Sequence, residues 1–65
     1  MTALQKTVSR AISEHNYHLL RYCVEYMTRR MGMNHTNLRE WFADRFDMDS
    51  ATFDAYMYEI DSLTD

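Results

Sequence analysis

Three histidines and one cysteine are the nitrogen and sulfur side chains of this 65-residue chain that could bind zinc. His15 and His18 stand three residues apart, and Cys23 follows on the same stretch. A tetrahedral structural zinc site needs four ligands, usually two closely spaced pairs on two elements. His35 or Glu14 would have to complete the set, and neither belongs to such a pair. The spacing therefore favours histidines at a surface or helix junction, and we expect no metal site.

The aspartates of residues 47–49 (DMD) begin like a calcium-binding loop. Such a loop continues with an oxygen ligand, then a turn glycine, and closes on a glutamate. The chain has Ala51, Thr52 and Tyr58 at those places. Capping of a following helix explains the aspartates better. We expect neither calcium nor any other cofactor.

Nucleophilic and phosphate chemistry have no more support from the residues. Cys23 falls on an apolar helical stripe, where a thiol is usually a small inert core residue, and no histidine is tied to it by a recognisable signature. A glycine-rich phosphate loop is excluded because the chain has one glycine. A chain this short also rarely encloses a pocket that excludes water. The prediction is a protein that is not an enzyme.

The elements that would position any site are helices, because the chain has no proline and no sustained strand alternation. We predict an all-α fold, a compact bundle of three to four short helices in a single domain, residues 1–65. The predicted helices span about residues 3–14, 17–31, 37–46 and 50–62. Their apolar stripes include Leu20 and Met31 in the second helix and Phe53 and Ile60 in the last.

The helix boundaries are predicted from capping residues. Thr2 can cap the first helix, with Gln5 at capping-box spacing. Gly32 suits the left-handed position that closes the second helix. Asp49 suits the N-cap of the last helix. The helix can break at residues 13–16, where Asn16 can act as the N-cap of the second helix. One long helix over residues 3–31 remains the alternative.

The last two predicted helices have the lengths of a helix-turn-helix, whose second helix would enter the DNA major groove. The outward positions of residues 50–62, however, carry only negative charge among their ionised groups, including Asp54, Glu59 and Asp61. Affinity for a duplex comes largely from lysine and arginine at phosphates. The sequence therefore argues against this helix as a DNA-recognition helix.

Charge is divided unevenly along the chain, whose net charge is -3. Residues 1–35 hold five basic and two acidic side chains, and residues 36–65 hold two basic and eight acidic ones. The two halves either attract each other within one monomer or meet across an interface, which would favour an antiparallel homodimer or capture of a charged partner. The candidate basic face, open to nucleic acid as a second hypothesis, comprises Lys6, Arg10, Arg21, Arg29 and Arg30. The acidic half also permits mimicry of nucleic acid.

The excess of aromatic and methionine side chains predicts a protein interface, since a small bundle cannot hide all of them. The alternative is that they simply form the core of the monomer. Trp41 and Phe42 point about 100° apart on one helix, so we expect one of them to face a partner. The candidate interface residues are Tyr22, Tyr26, Trp41, Phe42 and Tyr58.

Size and composition also predict the environment. No apolar run reaches the roughly 18 residues of a membrane span, and the first residues lack the apolar block of a signal peptide. The lone Cys23 indicates a reducing compartment. We expect a cytoplasmic protein that gains stability from self-association, with a dimer favoured.

The stretches HLLRYCVEYMTRRMG and NLREWFADRFDMDSATFDAYMYEID resemble the small open reading frames between the exonuclease and excisionase genes of lambdoid phages. The resemblance covers nearly the whole chain and rests on overall texture. It implies an early accessory protein in the cytoplasm of the host cell, which influences phage development or the host state. The expected partner is then a host or phage protein, with nucleic acid not favoured. That family offers no catalytic residues to carry over.

Overall fold

The computed structural model describes residues 2–63 and consists of four α-helices, with no strand in that part of the chain. They are α1 (Ala3–Ser13), α2 (Tyr17–Arg30), α3 (His35–Phe46) and α4 (Ser50–Asp61). About 79% of the described residues are helical. The predicted all-α bundle is confirmed. No helix within residues 2–63 has the length and apolar character needed to cross a membrane.

The first two helices are separate, so the alternative of one long helix is wrong. His15 adopts a left-handed conformation with φ 52° after the end of α1. The Asn16 N–H then donates back to the Ala11 carbonyl at 2.8 Å, and the Asn16 side chain accepts from the Leu19 N–H at 3.1 Å. One residue thus closes α1 and caps α2, which fixes the turn between them.

Three further predicted caps are present. Thr2 accepts a hydrogen bond from the Gln5 N–H, and Asp49 accepts one from the Thr52 N–H at 2.7 Å. Gly32 has φ +68° directly after α2, as the left-handed position requires.

The start of α3 differs from the prediction by two residues. Asn34 and Asn37 form a reciprocal capping box, with side-chain to backbone distances of 2.8 and 3.1 Å. The N-cap is therefore Asn34, and the helix begins at His35 rather than at residue 37. Asparagine at the third helical position replaces the usual glutamate or glutamine of this motif. The capping box is therefore not recognisable from the sequence pattern alone.

The core lies where α1 packs on α2, α2 on α4, and α3 on α4. Its buried side chains are Val8, Ala11, Leu20, Cys23, Val24, Met27, Leu38, Trp41, Phe42, Phe53 and Ile60. Met31, predicted to extend the apolar stripe of α2, is instead exposed because it already lies beyond the last helical turn. The helical pair α3 and α4 is joined by the three-residue turn 47–49, and α4 packs its Phe53 and Ile60 face inward.

Candidate protein-interaction surface

The outer face of α2 follows from the position of its buried face. Leu20, Cys23, Val24 and Met27 recur at helical spacing and point into the core. The residues on the opposite side of the same helix are His18, Tyr22, Glu25, Tyr26 and Arg29, with Arg30 at one flank. Burial of one stripe thus forces aromatic and basic side chains into solvent.

Two tyrosines one turn apart dominate this face. Tyr22 is 68% exposed and Tyr26 is 45% exposed. Together with Glu25, Arg29 and Arg30 they line a shallow depression of about 220 Å³. We call these five residues the α2 surface. The structure therefore brings two of the candidate interface residues together with two of the candidate basic residues.

The ion pairs near this surface leave its two C-terminal arginines uncompensated. Glu25 pairs with Arg21 at 3.3 Å, one turn earlier on the same helix. Arg29 and Arg30 are exposed and make no ion pair within residues 2–63. Their positive charge at the C-terminal end of α2 is favourable for the helix dipole. It also remains available to an anionic partner.

The remaining basic candidates lie elsewhere. Lys6 and Arg10 are exposed on α1, on the side opposite Val8 and Ala11, and Arg10 pairs with Glu14 at 3.2 Å. They line no part of the α2 surface. The five residues of the predicted basic face are thus divided between the outer faces of two helices.

Tyr58 is the third exposed tyrosine, and its surroundings have the opposite charge. It is 72% exposed on α4, with Asp54 one turn before it and Asp61 one turn after it. We call Asp54, Tyr58 and Asp61 the α4 strip. No lysine or arginine occurs within α4. Acidic side chains and an exposed ring therefore share one side of this helix.

The prediction that Trp41 or Phe42 faces a partner is wrong, because both are buried, with exposed fractions of 8% and 3%. Their rings meet edge to face at 5.1 Å, and Phe42 also contacts Phe53 of α4 at 5.5 Å. Large rings reach sideways across a core, so two directions 100° apart on a helix converge on one cluster. Arg45 covers the Trp41 ring at 5.0 Å and takes the solvent side.

The side chains that could carry catalysis or bind metal are dispersed. Cys23 is buried, and burial raises the pKa of its thiol, which disfavours the reactive thiolate. Within residues 2–63, no three histidine, cysteine or acidic side chains come together as a metal site. His35 packs against Phe53 at 5.3 Å, and His15 lies beside Tyr17 at 6.4 Å. Both histidines are exposed, and each lies beside an aromatic ring.

A groove of about 440 Å³ runs beside the start of α2 and along α4. Its lining residues are Tyr17, Ala51, Thr52, Ala55, Tyr56 and Glu59. The Tyr17 and Tyr56 rings meet at 6.2 Å and form one wall. Glu59 is the single charged group of the lining.

The grouping of tyrosine and arginine on α2 was not recognised from the sequence as one surface. Tyr22 and Tyr26 are four residues apart, and Arg29 follows at seven residues from Tyr22. That spacing places all three on one side of a helix. This spacing identifies the surface once the buried stripe of α2 is known.

No protein-family model, no curated protein and no solved structure matches the chain.

Proposed function

We propose that the chain is a non-enzymatic interaction module that binds another protein through the α2 surface. The observation that supports this is the pairing of Tyr22 and Tyr26, both exposed, with Arg29 and Arg30, which have no ion partner within residues 2–63. Tyrosine and arginine are the types that most often dominate binding energy at protein interfaces. Neither pair contributes to the core, so packing of the monomer interior does not explain them.

The chemistry of the surface defines the kind of partner. Two tyrosine rings offer flat apolar area that loses little side-chain entropy on binding. The two arginine side chains favour carboxylates, which they can bind through two parallel hydrogen bonds. The partner is therefore a protein surface with acidic side chains around an apolar centre. Binding of this kind should weaken as salt screens the arginines.

The proposed setting follows from the resemblance to the small early open reading frames of lambdoid phages. An early accessory protein of this kind works in the cytoplasm of the host cell and acts on a host or phage protein to influence phage development. A small helical module with one exposed binding face suits that role. It needs neither a pocket nor a cofactor to alter the activity of a partner.

A second candidate function is binding of nucleic acid by the same arginines. Exposed aromatic rings can stack on unpaired bases, and uncompensated arginines attract phosphates. Glu25 at the centre of the α2 surface and the net charge of -3 oppose such binding. Protein is therefore the favoured partner.

The test is site-specific photocrosslinking of the whole chain in a bacterium that a lambdoid phage infects. A photoreactive benzoylphenylalanine replaces Tyr22, and the matched control carries it at Lys6 on the outer side of α1. We expect a discrete adduct from position 22 whose mass differs from that of two joined copies of the chain, and which resists nuclease, is digested by protease and disappears in the double variant Arg29→Glu, Arg30→Glu. The control position should not give this adduct.

Three results would overturn the proposal. They are a nuclease-sensitive adduct, equal adducts from positions 22 and 6, and no adduct with any macromolecule. The first of these would assign the surface to nucleic acid.

A further inference from the structure

The groove beside the start of α2 has an apolar floor and an aromatic wall. Ala51 and Ala55 stand one turn apart on α4, and their short side chains leave a trough along the helix. Tyr17 and Tyr56 form the wall, and both rings are half-buried because they pack against the core. The wall is therefore held in place before anything binds, which reduces the entropy lost on binding.

A single carboxylate without an ion partner lies at the end of this trough. Glu59 continues the row of Ala51 and Ala55 by one more turn, is exposed, and makes no ion pair within residues 2–63. Among those residues, no lysine or arginine lines the groove. Arg21, one turn after the aromatic wall on α2, pairs with Glu25 at 3.3 Å and borders a different recess. The groove therefore carries negative charge and has no cation of its own.

Aromatic rings beside a carboxylate suit a flat cation. Tyrosine rings attract cations, and the planar guanidinium of arginine can also donate two parallel hydrogen bonds to a carboxylate. A lysine ammonium is more strongly hydrated and is not planar, so it gains less from an open wall. The chain already contains one contact of the first kind, since Arg45 covers the Trp41 ring at 5.0 Å. The lining of the groove therefore favours arginine.

The length of the groove indicates a segment of protein chain as the source of that arginine. The lining runs from Ala51 to Glu59, which is about 12 Å along a helix. An extended chain advances about 3.3 Å per residue, so three to four residues, at roughly that advance, cover the distance. The volume of about 440 Å³ lies within the range of about 300–1,000 Å³ that is common for ligand sites. A single amino acid would leave part of the trough uncovered.

We propose that this groove binds an arginine-containing segment of a protein partner. The arginine lies against Tyr17 and Tyr56, the Glu59 carboxylate accepts hydrogen bonds from its guanidinium, and the flanking residues of the segment cover Ala51 and Ala55. The groove shares no residue with the α2 surface and prefers the opposite charge. The inference therefore does not depend on the proposed function. The chain has two separate binding faces, one for acidic and one for basic groups.

The test is a nuclear magnetic resonance titration of the full, isotope-labelled chain with a tripeptide, capped at both ends, that has arginine between two alanines. A matched peptide has citrulline in place of arginine, which keeps the planar shape and removes the positive charge. A third peptide has lysine. We expect saturable shifts of the amide signals of residues 51–59 with the arginine peptide. The citrulline peptide should bind at least about fivefold more weakly, because it lacks the charge that Glu59 and the tyrosine rings attract.

Two substitutions on α4 distinguish the groove from its surroundings. Glu59→Gln removes the carboxylate charge of the groove and should weaken binding of the arginine peptide at least about fivefold. Asp54→Asn is the matched control, because it removes an equal charge from the α4 strip, outside the groove, and should leave the affinity unchanged. Both positions are exposed, so both variants should fold, and circular dichroism confirms that the helices are retained.

Equal binding of the arginine and citrulline peptides would overturn the inference, because apolar contact alone would then explain it. So would an unchanged affinity in Glu59→Gln, an equal loss in Asp54→Asn, shifts spread over the whole surface, or no binding. A lysine peptide that binds as tightly would overturn the assignment to arginine, and free arginine that binds as tightly would overturn the assignment to a protein segment. The adduct from position 22 tests the α2 surface and is independent of all these results.

Discussion

The aromatic side chains of α2 and α3 occupy opposite environments. Trp41 and Phe42 of α3 are buried against α4, whereas Tyr22 and Tyr26 of α2 stand in solvent. Both helices have a buried stripe, but α3 places its rings on that stripe and α2 places aliphatic and sulfur side chains there instead. The aromatic content is therefore divided, since one pair builds the core and the other remains exposed on α2.

The largest effect expected from this comparison is that of Phe42→Ala. Phe42 contacts Trp41, Phe46 and Phe53, so its removal leaves a cavity that costs about 3–5 kcal/mol of unfolding free energy. A chain of this size has little more than that to lose. Urea unfolding followed by circular dichroism should show a largely unfolded variant. Phe42→Leu keeps most of the volume and should remain folded with a smaller loss. A fully stable Phe42→Ala protein would contradict the core position of this ring.

A smaller effect is expected in the turn between α2 and α3. Gly32 has φ +68°, so Gly32→Ala places a side chain in the left-handed region and lowers the unfolding free energy by about 1 kcal/mol. His15→Gly is the matched control, because His15 has φ 52° at the end of α1 and should be relieved by glycine. Thermal melts of both variants measure the two shifts. We expect Gly32→Ala to lower the melting temperature and His15→Gly to raise it. Shifts of the same sign would contradict the left-handed strain assigned to His15.

A pH effect is expected at the start of α4, which covers the aromatic pair of α3. Hydrogen bonds from the side chain and the backbone N–H of Thr52 lower the pKa of the Asp49 carboxyl below its ordinary range. A lowered folded-state pKa gives stability that is present above the ordinary aspartate range and is lost as the pH falls through the folded-state pKa. Thermal melts across that acid range should show the loss.

Asp49→Asn retains the capping oxygen but does not titrate, so it should remove this part of the pH dependence. The cap would have to be reassigned if the substituted chain kept the full pH dependence. Such a result would point to other carboxylates as the source.

The smallest stability effect is expected for the exposed pair. Tyr22→Ala and Tyr26→Ala should each change the unfolding free energy by no more than about 0.5 kcal/mol, since neither ring is part of the core. The same variants should weaken binding at the α2 surface. Parallel urea titrations and crosslinking separate the two outcomes. A large loss of stability in either variant would break the contrast between α2 and α3.

The fold was largely predictable because its determinants are local. Thr2, Asn16, Gly32 and Asp49 each mark a helix end by side-chain or backbone chemistry that depends on near neighbours. The sequence does not decide between a break after α1 and one long helix, because a histidine, unlike a glycine, gives no indication of a left-handed backbone conformation. His15 adopts that conformation only because the turn to Asn16 demands it.

The candidate surface was only partly predictable, because burial is a property of the whole assembly of helices. Tyr22, Tyr26 and Tyr58 are exposed, but nothing in the spacing of Trp41 and Phe42 reveals how far a ring can reach across α3 towards Phe53. The division of the basic residues between α1 and α2 likewise depends on which side of each helix faces the core. The predicted protein partner and the phage setting stay predictions.

The geometry around Gly32 has a consequence for chemical synthesis of the chain. A Cβ atom at this position would meet nothing within 4 Å, so glycine is required by the sign of φ and not by space. A D-amino acid prefers that sign. D-alanine at position 32 would keep the turn between α2 and α3. It would also reduce the conformational entropy of the unfolded chain, which raises the free energy of unfolding. One mirror-image residue would thus achieve what no L-residue can at the junction of the two aromatic helices.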